Sequence, residues 1–272
     1  MLNFALNHMT VAQASFVELL DYAAALGCVG IEVRNDLPSP LFDGMAPSEA
    51  QKMLEDRGLR LLALAEIKAF NNSDEDLLEQ TKSLAEIAFE AGAEAISLIP
   101  RNDGQGLGNG ERQANLRLAL RAIHPILKAT GLKGLIEPLG FPACALRQKA
   151  EALAAITAIG GQEEFSVIHD TFHHHLADEQ EIFPTTTGLI HVSGVVEPRI
   201  AAADMLDGHR GLVDARDRLG NIDQISALLD AGYAGPISFE AFSSVVHEAA
   251  NPVADLRRSI DFIQSQFYAE TA

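Results

Sequence analysis

Four short apolar runs in the second half of the chain each end in a side chain that can hold a metal ion. Gly134-Leu135-Ile136 runs into Glu137, and Phe165-Ser166-Val167-Ile168-His169 into Asp170. Gly188-Leu189-Ile190 runs into His191, and Pro236-Ile237-Ser238-Phe239 into Glu240. A carboxylate is too costly to bury alone, so one at the end of a buried strand needs a partner. Two Glu, one Asp and one His brought together make a hard, oxygen-rich site for one divalent cation. Such a set leaves the ion open among Mn²⁺, Mg²⁺, Co²⁺ and Zn²⁺. Taken singly, each residue has a plainer reading. A strand-end Glu is commonly a surface group, and His191 after Leu189-Ile190 fits a satisfied core histidine. The joint placement of four carries the metal assignment. The densest segment is His169-Asp170-Thr171-Phe172-His173-His174-His175, where His174 and His175 read as loop residues. Cys144 reads as packing, since nothing beside it in the sequence could act as its base.

The rest of the chain must bring these ends together. Strand-like and helix-like segments alternate throughout. Strands are expected at 3–6, 29–33, 60–65 and 95–99, and helices at 16–26, 47–56, 74–91 and 111–130. Gly27, Gly58, Gly92 and Gly131 close those helices, as C-terminal glycines do. The four ligand-bearing strands follow, with helices over about 146–159, weakly near Asp178, and over 222–231 and 252–267. Repeated βα units predict a parallel sheet with crossover helices. Eight strands in 272 residues fit a single (β/α)8 barrel of roughly 250 residues, one domain over 1–272 with no linker. No G-x-G-x-x-G follows the first strand, which argues against a dinucleotide fold. In a barrel the C-terminal ends of all strands meet at one mouth. The long loops 101–110 and 192–220 follow strands, so they belong at that mouth as lids.

Composition narrows the partners. With 20 basic against 38 acidic residues the formal charge is −18, which repels phosphate backbones and anionic membranes. Nucleic acid and membrane are therefore not expected, a small-molecule substrate is, and a homo-oligomer stays open. Two cysteines make no disulfide framework and suit a reducing cytoplasm. The first residues, Met1 to Leu6, lack the basic start and apolar run of a signal peptide.

The chain resembles the xylose isomerase-like barrel superfamily of sugar isomerases and epimerases, of which endonuclease IV is a distant relative. Within it, the chain is similar to the inosose (2-keto-myo-inositol) isomerase group. The resemblance rests on Phe70-Asn71-Asn72-Ser73-Asp74-Glu75, on Glu137-Pro138-Leu139-Gly140-Phe141-Pro142-Ala143-Cys144, and on Asp170-Thr171-Phe172-His173. It implies that Glu137, Asp170, His191 and Glu240 bind the metal, with Glu137 and Glu240 also moving protons. It implies that His173 and Arg210 contact substrate, with Glu32 and Arg34 of Ile31-Glu32-Val33-Arg34 as further substrate contacts. The implied activity is metal-dependent isomerisation of 2-keto-myo-inositol or a related unphosphorylated ketose through an enediolate. Ketose 3-epimerisation is the alternative; behind it stand a phosphodiesterase like endonuclease IV and a sugar-binding barrel without catalysis. The chain departs from common patterns at His191-Val192-Ser193-Gly194 and His209-Arg210-Gly211-Leu212, and Ala143 stands where ketose 3-epimerases place a further Glu.

Overall fold

A computed structural model describes residues 2–72 and 76–268 of the chain. The expected helix start at Asp74, and Ser73 to Glu75 of the resemblance motif, lie outside the described residues. The first half builds β1 (Phe4–Asn7), α1 (Phe16–Leu26), β2 (Gly30–Arg34), α2 (Pro47–Glu55), β3 (Arg60–Lys68), α3 (Leu77–Glu90), β4 (Ala95–Ile99) and α4 (Asn109–Thr130). The second half builds β5 (Lys133–Ile136), α5 (Lys149–Ile159), β6 (Phe165–Asp170), α6 (Thr171–Ala177) and β7 (Thr187–Val192). It closes with α7 (Asn221–Asp230), β8 (Ile237–Phe239), the short α8 (Ser244–His247) and α9 (Pro252–Phe267). All neighbouring strands pair in parallel, and β1 pairs with both β2 and β8, so the sheet closes into an eight-stranded barrel. Among the described residues no helix is long and apolar enough to cross a membrane.

Local chemistry sets the element ends. Ser15 and Glu18 form a reciprocal capping box at the start of α1, and Gly27 ends that helix at a φ of 72°. At the start of α6 the cap is Asp170, whose side chain accepts the His173 backbone N–H at 2.9 Å. The helix therefore begins directly after β6, where a loop carrying His174 and His175 was expected; the Asp cap makes a connecting turn unnecessary.

Side chains alternate along a strand, so each strand feeds two cores. One parity packs against the helices and includes Leu6, Ile31, Val33, Ile136, Ile190 and Phe239. The other fills the barrel with a small apolar plug of Ala5, Leu62, Ala63, Ala95, Leu135, Ile168 and Leu189. A parallel barrel buried on both faces needs both sets. Above the plug, the same parity reaches the mouth.

The loop after β5 lies against α6 with no room to spare. A Cβ on Gly140 would sit 2.4 Å from the His173 carbonyl oxygen and 2.5 Å from Leu176 Cβ. Backbone cannot step aside as a flexible side chain can. Gly140→Ala is thus expected to displace α6 and cost about 1–3 kcal/mol, as overpacking does. A urea melt checks it; an unchanged midpoint would show that the loop and α6 are not tightly apposed.

Candidate metal centre

Parity explains which side chains meet at the mouth. Two residues beyond the plug residues Leu135, Ile168 and Leu189 come Glu137, Asp170 and His191, and Glu240 stands two beyond the buried Ser238. One ligand atom from each of these four lies within 4.8 Å of the others, and all four residues are buried. His191 Nδ1 is 3.2 Å from Glu240 Oε2, 3.4 Å from Glu137 Oε1 and 3.9 Å from Asp170 Oδ2. Its other nitrogen, Nε2, is 3.0 Å from Glu32 Oε2, and Glu32 also accepts the Ser238 hydroxyl.

This geometry fits a cation. When Nε2–H donates to Glu32, Nδ1 carries the lone pair, and it faces only carboxylate oxygens. Five buried carboxylates, Glu32, Glu66, Glu137, Asp170 and Glu240, share the mouth with two buried guanidiniums, Arg34 and Arg210. Such an excess is prohibitively costly without positive charge in its midst. Burial alone would lower the His191 pKa, but Glu240, Glu32 and Glu137 outweigh it and raise it well above the ordinary value. A divalent ion on Nδ1 and the three carboxylates answers the same need, and Glu32 behind the imidazole is the usual carboxylate–histidine support for such a ligand.

The two glutamates differ in their neighbours. Glu240 accepts from Arg34 Nη1 at 3.0 Å, from Arg210 Nη2 at 2.8 Å and from Asn7 Nδ2 at 3.3 Å. Burial would raise its pKa, but His191, Arg210 and Arg34 hold it below the carboxylate range. Among the described residues no guanidinium bonds Glu137. Burial and the charge of Glu240 push it up. Asp170 would also rise on burial, but Arg210, 2.5 Å from its Oδ2, brings it down. Burial lowers His173 to about 4, so its ring is neutral at neutral pH.

A cavity of about 460 Å³ opens over this cluster. Its wall includes Glu137, Glu240, His173, Arg34 and Arg210. Phe242 also lines it and lies 4.5 Å from the Arg210 guanidinium. Residues 101–103 of one long loop and Asp207 of the other reach the same wall. Glu32 does not, and here the expected substrate contact is corrected. It is fully buried one layer deeper, where the His191 ring separates it from the other carboxylates. The His-rich segment also divides. Asp170 and His173 face the site, but His169 has the opposite parity and bonds Gln224 of α7 at 2.9 Å. His174 lies on α6 and meets Lys149 Nζ at 2.9 Å. Glu66 and Asp36 were not foreseen. Both line the cavity and both bind Arg34, Asp36 through two bonds of 2.8 Å and Glu66 at 3.1 Å.

A family model described as xylose isomerase-like TIM barrel matches residues 20–266. The chain belongs to this family. Among its relatives is an inosose isomerase of Halalkalibacterium halodurans, 24% identical over 251 residues that cover 86% of this chain and 85% of that one. A xylose isomerase domain containing protein from Salmonella typhimurium LT2 superposes with a TM-score of 0.88 at 28% identity, covering 97% of this chain and 96% of that one. The IolI protein, solved with a bound zinc atom, superposes at 0.87 with 17% identity, covering 98% and 100%.

Within this family member, removing the charge behind the imidazole should weaken metal binding from a distance. Glu32→Gln is expected to lower divalent-ion affinity about 10–100-fold, the usual cost of losing such a support. Affinity of the unaltered protein should fall as pH falls, because protons compete for His191 and the carboxylates. Isothermal titration at two pH values measures both effects; equal affinity for the variant would leave Glu32 with a packing role alone.

Proposed function

We propose that the chain is a divalent-metal-dependent isomerase of 2-keto-myo-inositol or a closely related unphosphorylated ketose. The observation that carries this reading is the Glu137–Asp170–His191–Glu240 cluster under a cavity whose wall holds two of those carboxylates. The likeness to an inosose isomerase over most of both chains supports the substrate class. Glu137, Asp170, His191 and Glu240 would hold the ion. When bound there, a divalent cation polarises a ketone and stabilises the oxyanion that develops on it.

The residues supply the rest. Isomerisation moves one proton from the carbon beside the ketone to the former carbonyl carbon, and one between the two oxygens. Glu137 and Glu240 line the cavity and are the carboxylates placed to take and return the carbon-bound proton. Glu137, free of guanidinium partners, is the stronger base; Glu240, clamped by Arg34 and Arg210, stays ionised. His173 is neutral and lines the cavity, which suits a ring that steadies a substrate oxygen. Arg34 and Arg210 orient the cluster and present N–H groups to hydroxyls.

The walls favour a neutral polyol. The cationic side chains Arg34, Lys68, Arg101 and Arg210 all lie within salt-bridge distance of carboxylates. A phosphate dianion would have to compete with each of those partners, beside further acids on the same wall. Inososes are therefore expected to exceed sugar phosphates in kcat/KM, and a preference for a phosphorylated ketose would overturn the substrate assignment. Product analysis separates isomerisation from 3-epimerisation, since only the former moves the carbonyl.

Replacing either proton carrier tests the chemistry. Glu137→Gln and Glu240→Gln keep shape and an oxygen for the ion but cannot take a proton. Each should lower kcat by roughly 10²–10⁴ with little change in substrate binding. Exchange of the substrate C–H for deuterium in D₂O, followed by NMR with added metal, reads the step directly. If both variants exchange at the unaltered rate, these glutamates are not the acid and base.

A further inference from the structure

On the outside of the barrel, α3 and α4 pack side by side and leave an apolar strip uncovered. Leu78 and Phe89 on α3 are 40% and 63% exposed, and Leu118 on α4 is 59% exposed. The spacing from 78 to 89 is three helical turns, so both α3 residues share one stripe. On α4, Leu118, Ala122 and Ala129 make the matching stripe. Between the helices runs a groove of about 470 Å³, floored by Ala85 and Ile126. Monomeric proteins seldom leave large side chains lined up this way, and such strips mark association surfaces.

The charges flanking the strip say what would cover it. Outboard on α4 stand Arg117, Arg121 and Lys128, at spacings that put them on one edge. On α3, Glu79, Glu86 and Glu90 form the opposite edge, with Glu86 at the groove lip. All six are exposed, and among the described residues none has an ion-pair partner within the chain. In a chain of charge −18, a basic edge without an acidic neighbour is a local exception. The face therefore reads basic, apolar, apolar, acidic from one side to the other, with Lys82 the single cation on the acidic side, at the groove lip beside Glu86. A two-fold axis lying in the contact plane along the helices turns that order end for end. It sets the basic edge of one copy on the acidic edge of the other and apolar on apolar. An axis across the helices would set like charges together. Two abreast helices of 14 and 22 residues span about 21 and 33 Å and some 20 Å of width. That footprint is of the order of the ~800 Å² per partner that a stable dimer buries.

We propose that this face joins two copies of the chain in a two-fold dimer, the apolar stripes of α3 and α4 meeting at its centre and their charged edges pairing across it. Sedimentation velocity on the full chain over a range of concentrations should show a reversible monomer–dimer equilibrium. Leu118→Glu and Phe89→Glu, on opposite helices, should each weaken the dimer at least about tenfold by burying a lone charge. Reversing one edge with Arg117→Glu and Arg121→Glu should weaken it similarly. Adding Glu86→Arg and Glu90→Arg to that same chain restores opposite signs across the axis and should restore the dimer. Circular dichroism melts confirm that each variant is folded. A chain that is monomeric at every concentration overturns the proposal. So does a dimer indifferent to Leu118→Glu, which would place the contact on another face. Failure of the second reversal to rescue the first overturns the charge pairing that defines it.

Discussion

The mouth of this barrel is organised around one imidazole set among negative charges. His191 has Glu32 on one nitrogen and three carboxylates around the other. All of these groups are buried, so the repulsion between them is strong and each must be offset locally. Arg34 and Arg210 are buried for this reason, held by carboxylates on several sides and by the face of Phe242. A cation at Nδ1 would complete a balance that the surrounding strands already impose.

The two arginines fall on the same glutamate. Arg34 comes from β2, separated from β8 only by β1, and Arg210 from the loop after β7, so both reach Glu240 at the end of β8. Glu137 at the end of β5 stands across the mouth from them. Two side chains of identical chemistry thereby acquire different affinities for a proton, through neighbours that the barrel order selects. Paired acid–base chemistry at a ketone needs that kind of difference.

Much of this was readable in the sequence, and the misses have physical causes. The bounds of β4, β6 and α9 agree with the expected ones, because apolar runs and flanking polar residues mark them clearly. The strand after Arg60 was expected to stop at Ala65, yet it continues through Glu66 to Lys68. Polar residues at a strand end look like loop, and that is why Glu66 was missed. Asn7, which donates to Glu240, was lost at the end of β1 in the same way. Glu32 and Arg34 were both expected at the substrate from the family resemblance, and they share a strand parity. Depth along the barrel axis separates them, and depth follows from the stagger of neighbouring strands, which no single strand displays. The start of α6 had a readable cue in Asp170, but one side chain that both caps a helix and faces an ion pocket gives a mixed signal.

The alternation that lifts Glu137, Asp170 and His191 two places above Leu135, Ile168 and Leu189 also restricts how descendants of this chain can change length. Loops such as 101–110 and 192–220 can gain or lose residues and merely reshape the rim. Inside β5, β6 or β7, loss of a single residue between plug and mouth would turn a ligand into the helical layer and an aliphatic side chain into the pocket. Drift in this lineage can therefore rewrite what the pocket admits, through its loops, far more readily than it can relocate the chemistry.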